Sequence, residues 1–193
     1  DFDNLSNYSG FNTAISTIGA TEQAVVCNTA QTLTANIDIP ANIQLIALKG
    51  CAISTTGYTL TIKGALEAGL YQIFSGTGTV SFSGGKVQKV YPEWWGLVGD
   101  DATDDTTALS SAYTAAATNK AKLILPAKTM KFTTMLTWNA DVDVIGTSRI
   151  NTVLKKYGDI IGIRIGDVAG AYGQCKYGNF TLDSAGGADT KIG

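Results

Sequence analysis

Histidine is absent from the 193 residues of this chain. The absence excludes Ser-His-Asp and Cys-His nucleophilic sites and every metal site with an imidazole ligand. Cysteine is scarce, because only Cys27, Cys51 and Cys175 occur. An odd number at these spacings matches neither a disulfide framework nor a zinc motif. We therefore expect three buried or half-buried thiols, and we predict no cofactor.

Charge is also in short supply. Asp, Glu, Lys and Arg make up 16% of the residues, and the formal net charge is −2. This balance gives no electrostatic reason to expect binding to nucleic acid or to an anionic membrane. Apolar runs are too short for a membrane span, and the first residues lack the pattern of a signal peptide. Because the sequence begins at Asp1 rather than Met, we expect a processed chain or a piece of a longer one.

Glycine is abundant, with 22 residues against 3 prolines, and it stands among many Thr, Ser and Asn residues. This composition is typical of short strands separated by turns. Shifting residues 25–90 by about 27 positions aligns several apolar residues, as expected for a repeat in which each unit covers the next. The predicted ladders are Val26, Ile53 and Val80, and Leu33, Leu60 and Val87. In that register Cys51 aligns with Ala24, so Cys27 and Cys51 are not expected to bond.

Residues 91–109, YPEWWGLVGDDATDDTTAL, are the most informative part of the sequence. They lead into the one predicted helix, 104–118, whose apolar stripe is Ala108, Leu109, Ala112, Tyr113 and Ala116. Asp and Thr residues at its start are suited to capping exposed N–H groups and to the positive end of the helix dipole. Short alternating strands are predicted after the helix.

The segment 91–109 resembles the entry to the pectate-lyase-like parallel β-helix superfamily, which includes phage tailspikes and secreted polysaccharide lyases and hydrolases. The later runs LILP, TVL and NFTLD resemble that family over about the last third of the chain. Lys128 stands where the family usually has Gly, so a different turn geometry is expected there. In the resembled family the helix caps the first coil, and catalytic residues usually lie in later coils.

The fold expected from these observations is an all-β, right-handed parallel β-helix (a solenoid) with one short capping α-helix. We predict an extended N-terminal arm over residues 1–20 and a first β-solenoid block over 21–96. Residues 97–193 are predicted to hold the capping helix and the first coils of the main β-helix. The sequence stops at Gly193 without a closing element, so we expect a truncated solenoid.

Two sets of residues are candidate binding groups. Asp100, Asp101, Asp104 and Asp105 are suited either to helix capping or to Ca²⁺, which prefers carboxylate oxygens. Trp94 and Trp95 are suited either to stacking against sugar rings or to packing between the β regions. On a strand the two rings would point to opposite faces.

No catalytic residue can be assigned. Glycoside hydrolysis needs two carboxylates on one face. The available acids Asp143, Asp159, Asp167 and Asp183 form no recognisable pair, and the only arginines are Arg149 and Arg164. One alternative for these arginines is a lyase-type basic residue that acts with a metal. The other alternative, for each of these charges, is a solvated surface position.

The resemblance implies a phage virion protein: the virion-proximal part of a tailspike or tail fibre. We expect a homotrimer that contacts other tail or baseplate proteins and presents a downstream region to host surface polysaccharide, without nucleic-acid binding or membrane insertion. The location would be the virion tail, outside the cell. One alternative is a secreted bacterial polysaccharide lyase or glycoside hydrolase, and another is a non-catalytic cell-surface solenoid.

Overall fold

The computed structural model describes residues 2–158, 160–166 and 175–185. In these residues the fold is mostly β, with two α-helices, and every paired strand runs parallel to its neighbour. The chain divides into two compact units. Unit 1 comprises residues 1–88 and 94–96, and unit 2 comprises residues 89–93 and 97–193.

Unit 1 contains ten strands, the helix α1 (Phe11–Ile18) and a 3₁₀ turn at Leu5–Asn7. The strands are β1 (Phe2–Asn4), β2 (Gln23–Cys27), β3 (Gln31–Thr32), β4 (Ile37–Ile39), β5 (Ile43–Ala47), β6 (Ile53–Ser54), β7 (Thr59–Ile62), β8 (Leu66–Ala68), β9 (Phe74–Ser75) and β10 (Thr79–Phe82). They form three sheets, ordered β1-β2-β5-β8, β3-β6-β9 and β10-β7-β4.

Successive strands of a sheet in unit 1 are about 20 to 23 residues apart in sequence. Val26 lies opposite Ile46, Ile53 opposite Phe74, and Leu60 opposite Val80. The predicted 27-residue register is therefore wrong, and neither predicted ladder forms. Apolar residues recur so often in these alternating strands that a false shift also aligns many of them. The alternation itself buries one face of each strand, as with Ile43, Leu45 and Ala47 on β5.

Residues 2–18 are folded, so the expectation of an extended arm over 1–20 is wrong for them. Strand β1 pairs with β2, and α1 contacts β4. Phe11 and Ala14 of α1 are buried and lie with Ile39 and Leu45 around one small internal space. This apolar face of α1 packs against the strands of unit 1, which explains why the segment does not stay extended.

Cys27 and Cys51 form a disulfide with a Cα–Cα distance of 5.4 Å, contrary to our expectation. Cys27 ends β2 and lies opposite Ala47 at the end of β5. A turn follows, in which the N–H of Leu48 donates to the carbonyl of Cys27 and that of Cys51 to the carbonyl of Leu48. The turn brings Cys51 back beside Cys27, and a comparison of strand registers does not detect such a contact.

Unit 2 contains the helix α2 (Thr106–Ala117) and ten strands. The strands are β11 (Lys89–Val90), β12 (Asp100–Asp104), β13 (Lys122–Leu125), β14 (Thr129–Phe132), β15 (Leu136–Trp138), β16 (Val144–Gly146), β17 (Val153–Lys156), β18 (Ile163–Ile165), β19 (Tyr177–Gly178) and β20 (Thr181–Ser184). Their sheets are ordered β11-β13-β16-β19, β12-β14-β17-β20 and β15-β18.

The predicted helix forms. It begins two residues later and ends one residue earlier than the predicted range 104–118. All five residues of its predicted apolar stripe are buried, and so is Ala115. The helix contacts β11, β13 and β15, where Leu123 and Leu136 are also buried. The helix directly follows β12, which contains Asp100, Asp101 and Asp104, and Asp105 lies between the two elements.

Candidate functional site

The acidic residues before α2 lie in three different environments. Asp105 is buried, and its carboxylate accepts hydrogen bonds from the backbone N–H of Val98 (2.8 Å) and of Gly99 (3.0 Å). Burial raises the pKa of Asp105, although these two bonds favour the charged form. Asp105 therefore fixes the preceding loop, and its side chain makes no cap hydrogen bond to the helix.

Asp104 is exposed, and its side chain caps the start of α2. Its Oδ1 accepts from the N–H of Thr106 at 3.0 Å, and its Oδ2 accepts from the hydroxyl of Thr133 at 2.5 Å. Burial opposes ionisation, but the hydrogen bonds from Thr106 and Thr133 outweigh it and hold the pKa of Asp104 below its usual range. The capping alternative thus fits Asp104, one position earlier than the last residue before the helix.

Asp100 and Asp101 are both held as carboxylates. Asp100 accepts from the N–H of Thr103 (2.7 Å) and of Ala102 (3.0 Å), and these bonds lower its pKa. Asp101 has a left-handed backbone with φ of 63°. The ammonium of Lys155, 2.6 Å from Oδ2, is the main cause of the lowered pKa of Asp101.

A polar ladder crosses the outward face of the sheet β12-β14-β17-β20. In register it runs from Asp104 to Lys131, Lys155 and Asp183. Lys131 Nζ lies 4.8 Å and Lys155 Nζ 5.5 Å from the centre of the Tyr157 ring. We call Asp101, Asp104, Lys131, Lys155, Tyr157 and Asp183 the outer ladder. Across the strands the order is acid, lysine, lysine, acid, so the outer ladder offers both hydrogen-bond donors and acceptors.

The four aspartates do not converge on one point. Within the described residues, no group of three or more His, Cys, Asp or Glu side chains could hold a metal ion. Each of the four carboxylates instead accepts hydrogen bonds from its own partners. The arrangement offers the calcium alternative no common centre for the oxygen ligands that the ion requires.

The two tryptophans lie on a short 3₁₀ helix, Pro92–Trp95, rather than on a strand. Trp94 is 3% exposed, and its indole N–H donates to the carbonyl of Gly69 at 3.1 Å. The ring centre of Trp95 lies 5.0 Å from that of Phe74, and Trp95 is half-buried. Both rings therefore pack within unit 1, and Trp94 has no free face for a sugar.

The candidate acids are separated by the topology. Asp143 precedes β16, where its Oδ1 accepts from the N–H of Lys176 at 2.8 Å. Asp183 lies on β20, in a different sheet. Arg149 and Arg164 are exposed, and Asp159 and Asp167 lie outside the described residues. The arrangement of Asp143 and Asp183 does not form the facing pair that glycoside hydrolysis requires.

Sequence reasoning missed Glu93 and the pair Lys155 and Tyr157. Glu93 is 5% exposed, and its Oε2 has no hydrogen-bond partner among the described residues. Burial raises the pKa of Glu93. The sequence offered one signal, an acid between Pro92 and the two tryptophans. For Lys155 and Tyr157 it offered none, because they reach Asp101 over more than 50 residues.

Comparisons with protein-family models, with curated proteins and with solved structures gave no match to this chain. In the part of the chain that the structure describes, neither helix has the length and apolar character that crossing a bilayer requires.

Proposed function

We propose that this chain is the virion-proximal part of a phage tailspike or tail fibre, folded as a right-handed parallel β-helix of the pectate-lyase-like superfamily. It assembles as a homotrimer with other tail or baseplate proteins and presents a downstream carbohydrate-binding or depolymerase region. The supporting observation is the parallel stacking of short strands about 20 to 23 residues apart in unit 1. The resemblance of residues 91–109 implies this architecture.

The surface is compatible with this role. Few residues are charged, and outward positions on the strands carry Thr, Ser, Gln and Asn beside paired Lys and Asp. A surface with little net charge allows three copies to pack together without strong repulsion. The outer ladder supplies polar groups of both signs, which suit contact with another polar chain.

Two measurements test the proposal. Native mass spectrometry should give a mass three times the 20.1 kDa of one chain. Antibodies raised against the chain should label the tails of particles from the source of the sequence in electron micrographs. A monomeric mass together with antibodies that label no particle would contradict the virion role.

The Cys27–Cys51 disulfide favours a second candidate, a secreted bacterial polysaccharide lyase or glycoside hydrolase. Cys27 and Cys51 are both fully buried, and structural disulfides are typical of proteins from oxidising compartments. A virion protein folds in the reducing cytosol before release. Thiol alkylation and mass spectrometry of the cytosolic protein separate the two candidates. A folded trimer with both thiols reduced supports the virion role, and folding only after oxidation supports secretion.

A further inference from the structure

Strand β12 bulges where it pairs with β14. Asp100 lies opposite Thr129, and the next paired residues are Asp104 and Lys131. Four steps along β12 therefore match only two along β14, and we call the stretch between Asp100 and Asp104 the bulge. Within it, Asp101 has a φ of 63°, an uncommon backbone conformation for a residue other than glycine. Bulges re-aim side chains, and this one directs Asp101 across β14 to β17.

The bulge is held by side chains from outside it. Lys155 Nζ, on β17, donates to Asp101 Oδ2 at 2.6 Å, and the hydroxyl of Tyr157 donates to Asp101 Oδ1 at 3.1 Å. From β14, Lys131 Nζ donates to the backbone carbonyl of Ala102 at 3.0 Å. Three donors therefore bind one carboxylate and the backbone carbonyl of the residue after it.

Lys131, Lys155 and Tyr157 form one cluster, which we call the donor site. Both ammonium groups lie beside the same ring, at 4.8 Å and 5.5 Å from its centre, where the face of the ring attracts them. The Lys155 side chain is only 21% exposed, so less water screens its attraction for a carboxylate. The Asp101 side chain is 38% exposed, so another carboxylate from solution has access to its place.

Two further acids limit which ligands fit the donor site. In register, Asp104 lies beside Lys131 and Asp183 lies beside Lys155. Without Asp101 these four charges balance, so a group with a single charge is favoured over phosphate, which carries nearly two. The bulge itself shows the pattern that fits, a side-chain carboxylate followed by a backbone carbonyl. This pattern is that of an acidic peptide.

We propose that the donor site binds an acidic peptide segment of a protein partner, and that the bulge occupies this site in the free chain. An Asp or Glu of the partner replaces Asp101 on Lys155 and Tyr157, and the next carbonyl of the partner accepts from Lys131. The inference rests on unit 2 alone. The trimer mass and the labelling of particles do not depend on Asp101, so its failure leaves the proposed function untouched.

The test adds the peptide Ac-Asp-Asp-Ala-Thr-NH₂, which has the sequence of residues 100–103, to the 193-residue chain with Asp101→Gly. Glycine accepts the left-handed backbone and removes the carboxylate. The amide chemical shifts of Lys131, Lys155 and Tyr157 should give a dissociation constant below about 10 mM, at least about fivefold tighter than in the original chain, where Asp101 competes. Adding Lys155→Met, which keeps the apolar stem, should weaken binding at least about fivefold.

The matched control is Asp38→Ala in unit 1. Lys63 Nζ lies 2.6 Å from Asp38 Oδ2, the same distance as in the pair of Lys155 and Asp101, but its two side chains are 44% and 57% exposed. In this variant the peptide should not change the amide shifts around Lys63. The neutral peptide Ac-Asn-Asn-Ala-Thr-NH₂ and sodium acetate, at equal ionic strength, should bind to Asp101→Gly more weakly than the acidic peptide does.

Circular dichroism identifies a variant that fails to fold, and Asp101→Asn then replaces Asp101→Gly, because asparagine also tolerates this backbone conformation. The proposal is overturned if the three amides do not titrate up to about 20 mM peptide or if Lys155→Met has no effect on binding. Equal affinity for the neutral peptide or for acetate would show that the site does not select an acidic peptide. Equal affinity of the original chain and Asp101→Gly would show that the bulge does not occupy the site.

Discussion

The surroundings of nearby aspartates in this chain shift their pKa values in opposite directions. Asp101 is paired with Lys155, which lowers its pKa, whereas Asp105 is buried, which raises its pKa. The two side chains differ by only four positions in sequence and have the same chemistry. Their roles therefore follow from burial and partners: Asp101 joins the outer ladder, and Asp105 holds the loop before β12.

Glu93→Gln should increase the stability of the chain at neutral pH. The carboxyl group is buried with one oxygen unpaired, so the charged form is disfavoured in the folded state and the folded pKa lies above the unfolded value of about 4.3. The stabilisation linked to this proton is full below that unfolded value and is lost as pH rises through the folded pKa. We expect a gain of about 1 kcal/mol at pH 7 in urea unfolding.

The pH profile separates this effect from a packing change. Between about pH 4 and pH 7 the original chain should lose stability relative to Glu93→Gln, and the two should converge at acid pH. Glu67→Gln, at an exposed position on β8, is the matched control and should not reproduce the difference. Equal pH profiles for the original chain and Glu93→Gln would show that Glu93 bears no charge penalty.

At the scale of elements, the two acids at the start of α2 accept hydrogen bonds from different backbone groups, so replacing each should cost a different amount of stability. Asp105→Ala leaves two part-buried N–H groups without an acceptor and should cost about 1–3 kcal/mol. Asp104→Ala removes an exposed cap and should cost about 1 kcal/mol. Urea unfolding of both variants measures which substitution costs more stability. A Ca²⁺-dependent stability that Asp104→Ala abolishes would instead favour the metal alternative.

Cys27 at the end of β2 and Cys51 in the corner between β5 and β6 should form the only disulfide among the three cysteines. Thiol titration of the denatured, non-reduced chain should find one free thiol, on Cys175, and not the three that the sequence suggested. Replacing Cys27 and Cys51 together by Ala should cost about 2–4 kcal/mol, because the cross-link restricts the unfolded chain. Three titratable thiols in the oxidised protein would contradict the disulfide.

The elements that could be predicted from the sequence are those whose residue pattern lies within a single helix or strand. The stripe of α2 and the alternation of short strands both depend on spacing within one element, and both are present. Contacts between elements were not predictable in this way. The true pairing of Val26 with Ile46 depends on the lengths of turns, which vary, and the Cys27–Cys51 contact depends on the path of one corner. The fold of residues 2–18 depends on burial of Phe11 and Ala14 in unit 1.

At the scale of the whole molecule, each unit has its own buried core. In unit 1 Leu45, Leu60 and Phe82 are buried, and in unit 2 Leu109 and Leu125 are buried. The stacked parallel strands bury apolar side chains on one face and leave polar residues on the other.

We predict that the 193-residue chain does not cleave polysaccharides. It has no histidine, Asp143 and Asp183 lie in different places of the fold, and Asp101 and Asp104 are paired with Lys155 and with the hydroxyl of Thr133. The pKa values of Asp101 and Asp104 are lowered, whereas the general acid of a glycoside hydrolase needs a raised pKa. Assays for reducing ends and for unsaturated products on capsule, lipopolysaccharide and pectin should match the buffer control. Turnover that disappears with Asp143→Asn, Asp159→Asn, Asp167→Asn or Asp183→Asn would instead establish the secreted or depolymerising enzyme as the function of this chain.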